Sequence, residues 1–160
     1  MNIWAALAGG FVGTLVLTTS MRAATELRLT RIDLPFLLGT AFTTDRIRAA
    51  ALGYALHFGF GLAFACGYYA VFEAIDAASW WLGALLGAVH AVFAGTALVN
   101  ILLPLVHPRM GTPFTDATAA PLLEPPGFLL LNYGMRTPAV MVAAHVTYGA
   151  LIGALTAASG

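Results

Sequence analysis

Apolar residues along this chain gather into four long runs, and almost every charged residue falls between them. The runs cover residues 3–21, 49–72, 80–103 and 138–158. About 20 consecutive apolar residues suffice for a helix to cross the hydrocarbon core of a bilayer. The pattern therefore predicts an all-α, polytopic membrane protein, a four-transmembrane-helix bundle forming a single transmembrane domain over residues 1–160. The first run lacks both the basic segment and the small-x-small cleavage site of a secretory signal, so it is expected to remain as a helix of the mature protein.

Small residues recur along these runs at four-residue spacing: Ala5, Gly9 and Gly13; Gly59, Ala63 and Gly67; Gly83, Gly87, Ala91 and Gly95; Gly149 and Gly153. Lipid gives apolar faces no reason to pair, so close backbone approach through small residues drives helix association. One compact bundle is expected, with a face left for a partner. Three phrases also recur in the same order. Phe11-Val12-Gly13-Thr14 matches Phe93-Ala94-Gly95-Thr96, and Pro35-Phe36-Leu37-Leu38 matches Pro126-Gly127-Phe128-Leu129-Leu130. Ala55-Leu56-His57-Phe58-Gly59-Phe60-Gly61 then matches Ala143-Ala144-His145-Val146-Thr147-Tyr148-Gly149. The order suggests two tandem helical hairpins, residues 1–72 and 80–160, related by an axis along the membrane normal.

The connecting loops add detail. Asp33 before Pro35 predicts a short capped helix, LPFLLGTAF, lying at the interface. Thr43, Thr44 and Asp45 offer an N-cap for the second spanning helix. The proline-rich third loop should be largely irregular, with GFLLLNY the segment that touches lipid.

Composition supports the membrane reading and sets the orientation. The chain is 60% hydrophobic and 9% charged, against about 25% charged in soluble domains. All seven basic residues are arginine and seven acidic residues balance them, so neither a nucleic-acid surface nor a Schiff-base lysine is expected. Arg22, Arg28, Arg31, Arg46 and Arg48 lie in or beside the first loop, and Arg109 and Arg136 in the third. Arginine collects in cytoplasmic loops. This places a multi-pass protein in the cell inner membrane with both termini outside and Trp80 and Trp81 at the outer interface. Cys66, the lone cysteine, reads as a small buried hydrophobe.

Three histidines supply the candidate chemistry. His57 and His145 lie about eight residues, or about 12 Å, inside the arginine-rich ends of their helices, and His90 about 15–20 Å from the same side. Thr14, Thr18 and Thr147 reach similar levels, with Asn100 and His107 nearer the arginine side. Ionisable side chains inside a membrane mark ligand, ion or proton sites. His57 and His145 together would suit the axial positions of a haem. His57, His90 and His145 would suit a transition metal with an open position. The plainer reading makes each a neutral fastener, hydrogen-bonded across a helix crossing. No acidic residue lies within the runs, which weighs against a proton relay.

At the arginine side, His107-Pro108-Arg109 closes the third helix after Pro104. His107, Arg109, Arg136 and Asp33 would either form a small polar site or anchor the loop at headgroup level. Asp116 and Glu124 are candidate partners for the arginines. No nucleophile–base–acid set, phosphate-binding loop or metallohydrolase motif is present, so catalysis is not expected. The first functional reading is a structural or assembly component packing with lipid, with itself or with a larger membrane complex. A histidine-ligated haem or metal protein and a small transporter or channel are the alternatives.

The layout also resembles a known type. Thr18-Thr19-Ser20-Met21, Asp33-Leu34-Pro35 with Leu38-Gly39, His57 with Gly61, His107-Pro108-Arg109-Met110, and His145 with Tyr148-Gly149 occur in this order. Over nearly the whole chain this is similar to the small four-helix bacterial inner-membrane proteins grouped as domains of unknown function. The resemblance implies a four-helix inner-membrane protein and transfers no catalytic residue.

Overall fold

The computed structural model describes residues 1–110 and 123–159. Helix α1 spans Ile3–Glu26, the short α2 Leu34–Gly39 and α3 Arg46–Ala74. Helix α4 spans Trp80–Phe93 and runs through a π-helical segment, Ala94–Leu102, into α5, Leu103–Val106. A 3₁₀-type turn, Phe128–Tyr133, precedes α6, Thr137–Ala157. Four of these stretches are long and apolar enough to cross a membrane, the third being the continuous run Trp80–Val106. The described residues form an all-α bundle, and the protein is a multi-pass membrane protein.

Polar side chains begin the helices where backbone N–H groups would otherwise lack partners. Asn2 accepts from the Trp4 amide at 2.9 Å, Asp45 from Arg48 at 2.8 Å and Ser79 from Leu82 at 3.3 Å. Asp33 accepts from Phe36 at 3.0 Å and starts α2 with Pro35 in its first turn. Helix α1 continues beyond residue 21 to Glu26, and Arg22 and Glu26 pair across one turn of this extension at 2.8 Å. Charges that close a hydrophobic run thus need not close a helix.

Pro104 does not end the third spanning helix. Proline cannot donate an amide and crowds the carbonyl four residues earlier. The helix widens into the π segment before it, and Pro104 falls in the first turn of α5. The Asn100 side-chain amide donates to the carbonyls of Gly95 and Thr96 at 2.9 and 3.1 Å, satisfying groups that the widened turn loosens.

Helix α6 forms the centre of the bundle. Gly83 and Gly87 of α4 lie against its backbone, where a Cβ on Gly83 would meet the Gly149 carbonyl and one on Gly87 the His145 carbonyl. On the other side, Gly9 and Gly13 of α1 admit Ile152 and Tyr148. Helix α1 then packs on α3 where Gly10 meets Ala65 and Gly61 meets Thr14. Helix α2 lies across α3, with Gly39 against the Ala49 carbonyl and Gly53 against that of Pro35. The order around the bundle is therefore α4–α6–α1–α3. Helices α3 and α4 have no comparable backbone seam and meet through the rings of Phe64, Tyr68, His90 and Phe93.

The Met1 amino group lies 3.5 Å from Glu73, placing the N-terminus beside the α3–α4 connection. All seven arginines fall at the opposite end. Two expectations change. Cys66 is exposed on α3, because hydropathy does not distinguish a lipid face from a core face. In the GFLLLNY segment Phe128 is exposed, but Leu130 is buried in a cluster with Val99 and Met141. Leu129 and Leu130 take left-handed backbone, at φ 50° and 63°, to turn inward.

Candidate functional site

The bundle brings two of the three intramembrane histidines together. The rings of His90 on α4 and His145 on α6 are 4.9 Å apart, edge to face. Phe64 lies 4.0 Å from the His90 ring, and the Tyr68 hydroxyl reaches His90 Nδ1 at 3.3 Å. Tyr148 lies 5.6 Å from Tyr68 and 5.9 Å from His90, so the histidines sit within an aromatic cluster. This cluster is continuous with the packed layer of Phe72, Ile152 and Ala6 that fills the end of the bundle remote from the arginines.

Below that layer the bundle is hollow. A cavity of about 590 Å³ extends from His145, His90 and Tyr148 to Arg22 and Asp33 at the arginine end. It is walled by α1, α2, α3, the α4–α5 run and α6, mostly with apolar side chains. On the flanks formed by α3, the π segment and α5, Phe60, Leu102 and Leu105 are themselves exposed. The cavity exists because α3 and α4 lack a close seam, so the space between them is closed only at the level of the Phe64 and Tyr68 rings.

His57 lines the same cavity. Its Nε2 is buried and has no hydrogen-bond partner among the described residues. His145 is fixed through Nδ1, which donates to the Met141 carbonyl at 2.9 Å; its Nε2 is left as a lone-pair acceptor. Thr14 and Thr18, also at the cavity wall, donate to carbonyls one turn back, Gly10 at 2.7 Å and Thr14 at 2.6 Å. Thr147 does the same to Ala143 at 2.9 Å and is exposed. His57, His90 and His145 share a cavity wall, but no group of three His, Cys, Asp or Glu side chains converges as a metal-ligand set among the described residues.

The arginine-end residues do a different task. His107 is 2% exposed. Its Nε2 donates to the Leu37 carbonyl and meets the Thr40 hydroxyl, each at 3.1 Å, while Nδ1 accepts the Arg109 amide at 3.2 Å. Arg109 reaches the Thr43 carbonyl at 2.7 Å. The turn after α5 is thereby latched to α2 and the segment after it, and burial holds the His107 imidazole below its ordinary pKa. Asp33 caps α2, and Arg136 is exposed at the start of α6. His107 and Arg109 are joined to each other, and no hydrogen bond or ion pair links Asp33 or Arg136 to them among the described residues. Glu124 lies 3.8 Å from Arg31; Asp116 falls outside the described residues.

Tyr68 and Tyr148 are the participants that histidine spacing overlooks. Tyr148 donates to the Gly61 carbonyl at 2.5 Å, tying α6 to α3 across the cavity. A tyrosine in a spanning helix carries a polar group needing a partner, which was the available signal. Comparison with family models, with curated proteins and with solved structures returned no match.

Proposed function

We propose that this membrane protein binds a lipid-borne small molecule in the cavity beneath His90, His145 and Tyr148. The carrying observation is a hollow of about 590 Å³ inside the bundle, apolar in its walls with imidazoles at its inner end. Such sites, largely preformed and apolar with a few placed polar groups, are what small-molecule binding requires. On this proposal the arginine end faces the cytoplasm of a bacterial inner membrane and both termini lie outside, as arginine segregation favours. The packed aromatic layer above the cavity supports binding over passage through the bundle.

Leu98 lines the cavity from the π segment, and Leu98→Trp would fill part of it without adding charge. Protein purified in mild detergent is expected to retain a specific small molecule, identified by mass spectrometry of its extract, that L98W loses while keeping its helical circular dichroism. Equal extracts from both proteins would refute the proposal.

A second reading, an assembly component, is favoured by the outer face of α3. Gly59 and Gly67 have open space where a Cβ would lie, and Cys66 is exposed beside them. Oxidative cross-linking in native membranes is expected to join two copies through Cys66. Monomer throughout, with Cys66 remaining reactive to maleimide, would remove a self-association along this face.

A further inference from the structure

We infer that the cavity, read as a binding site above, selects a neutral ligand that donates a hydrogen bond: a lipid-soluble alcohol or phenol. Four polar side chains in its wall have already given their protons to the protein. Thr14 donates to Gly10, Thr18 to the Thr14 carbonyl, Tyr148 to Gly61 and His145 Nδ1 to Met141. Thr14 and Tyr148 are fully buried in the helix contacts, so the lone pairs left to face the cavity are those of the Thr18 hydroxyl and of His145 Nε2. A carbonyl or ether presented to this surface finds acceptors facing acceptors.

Two neighbouring imidazoles complete the complement. His57 Nε2 has no partner among the described residues, and its tautomer is free to adjust. His90 Nδ1 lies 3.3 Å from the Tyr68 hydroxyl; when Tyr68 donates there, His90 Nε2 carries the proton. A hydroxyl is matched on both sides, giving its proton to an acceptor such as His145 Nε2 and accepting from His90 Nε2. An amphiphile with a charged headgroup is disfavoured at this depth, because all seven acidic residues lie outside the four apolar runs and an unpaired charge inside a membrane is costly.

The route of entry fits the same class. Helices α3 and α4 share no backbone seam and meet through rings near Phe64 and His90. Between that level and the arginine end, the exposed residues Phe60, Leu102, Leu105 and Val106 rim the cavity. A molecule dissolved in the hydrocarbon layer enters between α3 and α5 without passing through water.

The test uses full-length protein in lipid nanodiscs, with decylphenol and its methyl ether, and dodecanol and its methyl ether, as probes. Each is compared at equal mole fraction in the lipid by displacement of a fluorescent lipid-soluble reporter. The hydroxyl compound should bind about tenfold tighter than its ether, the ratio expected of one hydrogen bond of typical strength. A preference seen in the decylphenol pair alone identifies a phenol, and in the dodecanol pair alone an aliphatic alcohol. Thr18→Val and His145→Phe should each reduce the ratio, the first variant preserving side-chain shape should the second fail to fold. Ethers binding as tightly as the hydroxyl compounds would overturn the donor requirement while leaving cavity binding intact. Failure of every probe, with no small molecule in the purified protein, would instead remove the binding reading itself. An intense visible absorption band in the purified protein, lost in His145→Phe or His57→Phe, would overturn the proposal in favour of a haem.

Discussion

Adding one methyl group to the α4–α6 seam tests whether glycine contact holds the bundle together. A Cβ on Gly83 would strike the Gly149 carbonyl oxygen and lie 2.9 Å from its carbon and 3.0 Å from the Gly153 nitrogen. All three atoms are backbone and cannot rotate aside. Restoring ordinary carbon contact requires the helices to separate by roughly 1 Å, a gap that forfeits up to about half of the attraction between facing atoms. Overpacking of this kind costs about 1–3 kcal/mol, while alanine gains up to about 1 kcal/mol over glycine in a helix. Gly67→Ala provides the control, since its Cβ meets nothing within 4 Å and only the propensity gain applies. Reversible unfolding in mixed micelles, followed by circular dichroism, should show G83A destabilised relative to G67A by about 1–3 kcal/mol. Equal stabilities would refute the seam and, with it, the central position of α6.

Three further outcomes follow from particular contacts. Burial lowers the His107 pKa, so the unfolded chain takes up a proton first as pH falls below about 6.5. Stability from neutral His107 is therefore complete above that pH and declines below it; His107→Asn should flatten the acid side of the melting-temperature profile, and an unchanged profile would contradict the latch. Tyr148→Phe removes the hydroxyl's bond to the Gly61 carbonyl, which keeps its backbone bond within α3, and should cost about 0.5–1.5 kcal/mol in micellar unfolding, a neutral substitution arguing against the α3–α6 tie. Thr137 donates to Thr30 at 2.8 Å between buried hydroxyls. A double-mutant cycle with valine at both positions should give a coupling of at least about 0.5 kcal/mol, whereas additivity would deny the contact.

The four spans and the caps at Asp33 and Asp45 were legible because hydropathy and capping are local properties. Which face of each span turns inward was not. In lipid both the core and the outer surface are apolar, so Cys66 and Leu130 carry no sign of their opposite environments. The π segment was hidden for another reason: Pro104 signals disruption, but its remedy lies in Asn100 and the widened turn before it. The histidine phrases were visible as a pair, yet the neighbour His145 meets is His90. That pairing depends on α4 lying beside α6, which spacing along the chain does not encode.

The two phrases differ at four positions, and the one between Phe60 and Tyr148 bears on the cavity. In Ala143–Gly149 the aromatic residue is Tyr148, whose hydroxyl is held by Gly61 while its ring fills the space at Gly13, 2.8 Å from where a Cβ would stand. In Ala55–Gly61 the corresponding residue is Phe60, which has no hydroxyl to anchor it and is 49% exposed at the cavity rim. Gly95, the counterpart of Gly13 in the repeated Phe-x-Gly-Thr phrase, meets Met141 and Leu129 instead. The ring that closes the α1–α6 seam therefore has no equivalent between α3 and α4, and that missing closure is where the hollow lies. The tyrosine-to-phenylalanine difference gives a local reason why one seam is shut and the other open.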